Sequence, residues 1–180
     1  MDLILVGADG GRGVQVDRVP FDLAAYEEHV RSIRCFVCQF LDGDPGFEHE
    51  LVFDDGEHVA FLGKNPTMYG HVLVAPREHV EHVVRDFDQD AYLRLQAVLY
   101  RVARAVEVVV PSERTYLLSL GSQQGNTHLH WHISPLTPGT PPERQQYHAL
   151  MHENGVIPWS KEQATELGAK LRAALTAGPV

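Results

Sequence analysis

His128-Leu129-His130-Trp131-His132-Ile133-Ser134 is the stretch on which the reading of this chain turns. Three histidines alternate with three large apolar residues. Side chains of a strand change face at every residue, so this spacing predicts one face of imidazoles and one face of Leu129, Trp131 and Ile133. The apolar face can lie on a core. The imidazoles, roughly 6.5–7 Å apart along the strand, can each donate, accept, ligate a metal or attack an electrophile. Three readings compete: partly buried histidines with hydrogen-bonded partners, metal ligands of a hydrolase or hydratase, and a nucleophile flanked by positioning groups.

Outward from that strand, Thr115–Leu120 reads as a neighbouring strand, joined to it by the short polar loop Gly121–Thr127. Residues 88–110 carry the clearest helical period, with Ala91, Leu95, Val98, Val102, Val106 and Val109 on one stripe and Pro111 as the stop. Further upstream, Leu51–Phe53, His58–Leu62 and His71–Ala75 are apolar runs. Asp54-Asp55-Gly56-Glu57 between the first two signals a hairpin. Asp22 predicts an N-cap for a helix with Leu23, Tyr26, Val30 and Ile33 on one face. That helix runs into Cys35-Phe36-Val37-Cys38, which precedes the turn-rich Asp42–Gly46. A redox Cys-x-x-Cys normally opens a helix, so this placement favours metal binding, with further ligands that spacing alone does not select. Seven acids between residues 42 and 57 read as a solvated face.

Past residue 136 the texture changes. Thr140-Pro141-Pro142-Glu143 predicts a capped helix with Gly155 as its stop. Ser160 with Gln163 predicts a second capping box, opening a helix with Ala164, Leu167, Leu171 and Leu175 inward. At the other end, Gly7–Gly13 is glycine-rich but meets no phosphate-loop fingerprint, and residues 1–20 read as a loosely docked leader. The order of elements predicts an antiparallel α+β domain.

The chain has 180 residues, 44% of them hydrophobic, and a formal net charge of −9. That supports one domain with extensions and disfavours nucleic acid or an anionic membrane as partner. No stretch approaches the roughly 20 apolar residues of a membrane span. The start lacks a basic n-region, and a soluble cytoplasmic protein is expected.

Cys-x-x-Cys, an apolar strand ending at Pro66, Gly70-His71-Val72-Leu73-Val74-Ala75-Pro76-Arg77-Glu78-His79, a long helix and then Gln124-x-x-x-His128-x-His130-x-His132 together resemble the histidine triad (HIT) superfamily of nucleotide hydrolases and transferases, in its zinc-containing bacterial form. The resemblance implies a five-stranded antiparallel sheet with a long packed helix, here with extra N- and C-terminal helices, usually as a homodimer. It divides the chain into an N-terminal extension with one helix (1–33), a HIT domain (34–137) and a C-terminal helical extension (138–180). It implies His130 as the nucleophile on an α-phosphorus, His132 and His71 as its supports, and Gln124 as a phosphate contact; where the chain departs from the family pattern, Asn126 and Thr127 beside Gly125 and Asn65 near Gly63 are this chain's own candidates for substrate contacts. It also implies a structural zinc on Cys35, Cys38, His79 and His128.

The chain departs from the family pattern in places. Gly63 stands where an acid or amide usually reads the ribose, and Leu136 follows Pro135 where arginine is usual. Gly125 stands where a hydroxyl residue often contacts phosphate, and the third triad position is His132 rather than glutamine, which favours hydrolysis. The expected activity is cleavage of a dinucleoside polyphosphate or nucleoside phosphoramidate through a nucleotidyl-histidine. A non-catalytic nucleotide-binding module, a nucleotidyltransferase and a metal-dependent hydrolase are the alternatives. Tyr147, His148 and Trp159 are candidates to close over the pocket from the C-terminal side.

Overall fold

The computed structural model describes residues 17–123 and 125–177; the glycine-rich leader segment, Gln124 and the last three residues lie outside them. Five strands form one antiparallel sheet: β1 (Leu51–Asp54), β2 (His58–Leu62), β3 (Val72–Pro76), β4 (Arg114–Ser119) and β5 (Trp131–Leu136), in the order β1-β2-β3-β5-β4. The predicted hairpin joins β1 to β2. The 21-residue helix α3 (Gln89–Val109) is the connection that lets β5 insert between β3 and β4. The Asp88 carboxylate caps α3 by accepting from the Ala91 N–H, and Leu95, Val102 and Val106 of the predicted stripe are buried together with Leu99.

The strand period sorts the sheet's two faces. Ala60, Leu62, Val72, Val74, Trp131 and Ile133 point into the main core, closed by α3 and by α5 (Lys161–Thr176) through Leu167 and Leu171. Val59, Phe61, Leu73 and Ala75 point the other way, against α2 (Phe36–Asp42). Pairing of Leu73 with His132 puts the triad on this second face. The five-stranded sheet, the long helix and the extra terminal helices thus agree with the sequence reading.

Three local expectations need correction. Cys35 does open a helix: its backbone is extended, and its sulfur accepts from the Cys38 N–H, so the pair forms the first turn of α2 rather than leading straight into a turn. The regular strand begins only at Trp131, so His128 and His130 lie on the segment entering it. Residues 140–155 do not make one helix. Pro141 offers no side-chain cap, and Gln146 is at φ 52, so the stretch breaks into short 3-10 turns around α4 (Tyr147–Leu150).

The Ser160–Gln163 capping box, by contrast, is complete. Its helix α5 sits hard on the edge strand. A Cβ at Gly168 would lie 2.4 Å from Glu50 Cγ, and Arg172 holds the same carboxylate at 2.6 Å. Helix α1 (Leu23–Ser32), capped by Asp22, buries no residue completely. Among the described residues no helix is long and apolar enough to cross a membrane.

Candidate functional site

His128 and His130 sit two residues apart yet face different chemistry. The His128 Nε2–H donates to the Pro76 carbonyl at 2.9 Å, which leaves its Nδ1 lone pair pointing at the cysteines. That Nδ1 lies 3.5 Å from Cys35 Sγ and 3.7 Å from Cys38 Sγ, and His79 Nδ1 lies 3.4 Å from Cys38 Sγ. The four donor atoms all fall within 4.8 Å of one another. Two thiols and two imidazoles are the donor set of a structural zinc centre, whose tetrahedral edges from sulfur to nitrogen are about 3.5 Å. Glu81 lies 3.3 Å from His79 Nε2 and Pro76 holds His128, the outer contacts that orient ligating imidazoles. Burial pushes His128 down to about 4, so it stays a neutral donor, and burial beside Cys35 pushes the Cys38 thiol up to about 11. The residues fit the metal that the sequence reading assigned to them.

His130 is turned to the other side. Its Nδ1–H donates to the carbonyl of His128 at 2.7 Å, so Nε2 carries the free lone pair. The edge of Phe36 meets its ring at 5.5 Å, and Ser119 Oγ donates to its carbonyl. Burial lowers its pKa against the opposing pull of the His128 carbonyl, and the ring is neutral at pH 7. His132 follows with a ring centroid 5.0 Å away. Its Nδ1 shares a 2.9 Å hydrogen bond with His71 Nε2, and the two rings stack at 11°. Burial, then neighbouring imidazoles, drives His71 down to about 3 and His132 to about 2. His71 Nδ1 is buried with no partner among the described residues, whereas the Leu120 backbone pulls the pKa of His132 up against its burial.

The three imidazoles His71, His130 and His132 open on a cavity of about 470 Å³. Asn65 and Asn126 line it. Asn126, at φ 57, donates from Nδ2 to the Tyr26 hydroxyl at 2.8 Å. Thr127 is turned away from this cavity: it bonds Glu81 and lines a separate recess with His128. Gln124 lies outside the described residues. Gly63 has a structural reason of its own, because a Cβ there would press on His71 Nδ1 at 3.2 Å. The three C-terminal residues expected to close the pocket do not do so. Tyr147 is exposed, His148 faces another cavity and Trp159 meets Tyr69 on the far side.

Met151 and His152 close the cavity instead. His152 Nε2–H donates to the Asn65 carbonyl at 3.0 Å, and its ring stacks on Tyr26 and lies tilted against Phe21. A β-bridge between Val19 and Val156 and a hydrogen bond from Arg18 to the Ala149 carbonyl tie residues 17–21 to residues 149–156. None of this was visible in sequence, where residues 26 and 152 carry no shared pattern.

The HIT-domain family model matches residues 46–139, just over half of the chain and all five strands. An uncharacterized HIT-like protein of Saccharolobus solfataricus is 30% identical over 105 residues, covering 56% of this chain and 73% of that one. Protein hit of Bacillus subtilis is 32% identical over 104 residues, covering 56% and 70%. Among solved structures, a hypothetical histidine triad nucleotide-binding protein from Sulfolobus tokodaii superposes with a TM-score of 0.64 at 24% identity, over 79% of this chain and 93% of that one. A zinc-bound histidine triad family protein from Mycobacterium smegmatis gives 0.63 at 23%, over 81% and 96%. At such identities the structures speak for the fold alone. The sheet order, the alternating histidines at its centre and the match across 46–139 lead to one conclusion: this chain belongs to the histidine triad (HIT) superfamily.

Proposed function

We propose that the protein is a nucleotide hydrolase that cleaves at the α-phosphorus of a nucleoside phosphoramidate or dinucleoside polyphosphate. The observation that carries this reading is the His130 ring, neutral, with Nδ1–H locked to the His128 carbonyl and Nε2 left free in a cavity. That is the state an imidazole nucleophile needs. In the first step a bond forms from His130 Nε2 to phosphorus as the bond to the leaving group breaks; the departing atom takes the electron pair, and an amine also takes a proton from solvent, which the attacking water of the second step returns. In the second step water attacks the phosphoryl-imidazole, the P–N bond breaks, and a nucleoside monophosphate leaves. The net reaction consumes one water. His132, its ring 5.0 Å from that of His130, would hold a phosphoryl oxygen, and His71 would fix the His132 ring through their shared hydrogen bond. Asn65, Asn126 and Gln124 complete the substrate contacts in this proposal; Thr127 faces Glu81 and is set aside.

Cys35, Cys38, His79 and His128 would hold zinc, which would tie α2 to the segment that carries His130 into β5. With four protein donors its role is structural. Among the described residues this is the one grouping of three or more His, Cys, Asp or Glu side chains whose donor atoms converge as a metal ion requires. The proposed active form is a cytoplasmic homodimer. Edge strand β4 with exposed Leu117, and α3 with exposed Tyr100 and Val108, offer apolar surface for a second copy. The proposed division of the chain remains extension, HIT domain (34–137) and extension.

His130→Ala tests the reading. Release of nucleoside monophosphate should vanish while the melting curve and oligomeric mass stay as in wild type. Undiminished release by the variant would sink the proposal.

A further inference from the structure

Arg18 and His148 lie outside the HIT match, and both line a cavity of about 580 Å³ distinct from the one over the triad. Helix α4 stands between the two: Ala149 lines this cavity and Leu150 the other. The size is ordinary for a small-ligand site. Among the described residues around it are two guanidiniums, Arg18 and Arg144, and a single carboxylate, the exposed Asp17. That balance runs against the chain as a whole, whose formal net charge is −9.

Neither guanidinium has a carboxylate partner among the described residues. Arg18 is half-buried, and its Nη2 donates to the Ala149 carbonyl at 2.9 Å. A guanidinium carries five N–H donors, so most of its capacity is left over. Burial pushes its pKa down, the mark of a cation drawn out of water without a counter-charge. Such a group is costly unless an anion comes to it. Arg144 is exposed, and its side chain makes no hydrogen bond or ion pair among the described residues.

Both positions are held by the backbone around them. Arg18 precedes Val19, which exchanges N–H···O bonds of 2.8 and 3.0 Å with Val156. Gly155, at φ 91, permits that approach: a Cβ there would lie 2.7 Å from the Val19 carbonyl oxygen and 3.0 Å from Arg18 Cβ. The loop that carries Arg144 is fixed by Glu113, which accepts from the Gly139 N–H at 3.0 Å and from Gln145 Nε2 at 2.9 Å. Uncharged donors thus occupy that carboxylate, and Arg144 is left to the cavity. The buried Thr67 and the half-buried Thr137 add hydroxyls to its wall.

We infer that this cavity binds a small oxyanion, a phosphate monoester or a carboxylate, between the Arg18 and Arg144 guanidiniums. The planar fork of a guanidinium matches the paired oxygens of either group. The site is separate from the chemistry at His130, and the inference stands independently of the hydrolase reading.

An NMR titration of the full chain with inorganic phosphate, with succinate and with chloride, at constant ionic strength, tests it. The Arg18 and Arg144 side-chain Nε–H signals and the Gly139 and Asn154 amides are the reporters. Phosphate or succinate should move them saturably while chloride leaves them in place, and the tighter of the two identifies the preferred group. Arg144→Gln should weaken that affinity about tenfold or more. Its melting midpoint without anion should equal that of wild type, because Arg144 has no partner to lose. Shifts confined to residues around the triad, such as His130 and Asn126, would overturn the inference. So would an equal response to chloride, no saturable shift with either oxyanion, or an undiminished affinity in Arg144→Gln.

Discussion

Helix α5 lies outside the HIT match, yet its Leu171 has no exposure at all and sits in the main core with Leu95, Leu99 and Val106. Leu171→Ala removes side-chain carbons from a site closed on every side by α3 and the sheet. A truncation of this kind costs about 3 kcal/mol or more, the transfer term plus the cavity left behind. For a chain of this size each kcal/mol moves the midpoint about 2–4 °C, so a fall of about 6–12 °C is expected. Urea and thermal unfolding followed by far-UV and near-UV signals would measure it, with Lys170→Ala on the exposed side of the helix as the control that leaves the midpoint in place. The variant should still unfold in a single transition, because α5 shares its core with the sheet. A loss below about 1 kcal/mol, or a separate early transition for the helix, would refute the claim that α5 is part of the core.

Elemental analysis should find one zinc per chain, and Cys38→Ser should bind it poorly; stripping the metal should lower the melting midpoint while initial rates at 25 °C survive, whereas a rate that tracks zinc occupancy would contradict a structural role. Gly63→Asp should not improve nucleoside recognition. Its side chain would push on His71 and cost about tenfold or more in kcat, and a lower KM with kcat intact would show this account of Gly63 to be mistaken. His49 packs against Phe36, Phe40 and Phe61, and burial pushes it down to about 4. Its folded value lies below the unfolded value of about 6.5, so its contribution is complete above that pH and is lost as pH falls toward 4. Between pH 7 and 5 the wild type should lose up to about 2 kcal/mol more than His49→Gln, and parallel losses in the two proteins would count against the assignment.

Periodicity exposed most of the fold. The alternation at 128–134 put Leu129, Trp131 and Ile133 in the core and the imidazoles opposite, and the stripe along 88–110 produced α3 with its Asp88 cap. These features are local: a two-residue or 3.6-residue repeat is a direct image of which face is buried. Helix α2 was hidden because seven residues give too few repeats to reveal a period, and its cap is a cysteine sulfur rather than an oxygen. The break at 140–155 was hidden because proline and glycine mark ends without saying how many turns lie between them.

The sequence by itself determined the kinds of chemistry available: a thiol pair, an alternating histidine strand and their order along the chain. Residue type and spacing are enough for that, because each depends only on the chain's own covalent pattern. The family resemblance already divided the histidines; only the tertiary structure supplied the contacts that turn them apart. A carbonyl from Pro76 turns His128 toward the cysteines, and the carbonyl of His128 turns His130 toward the cavity, two hydrogen bonds that alternation cannot encode. The roof of that cavity is likewise tertiary. Tyr26 and His152 meet near the Val19–Val156 bridge, and contacts between segments so far apart in the chain leave no periodic trace in the sequence.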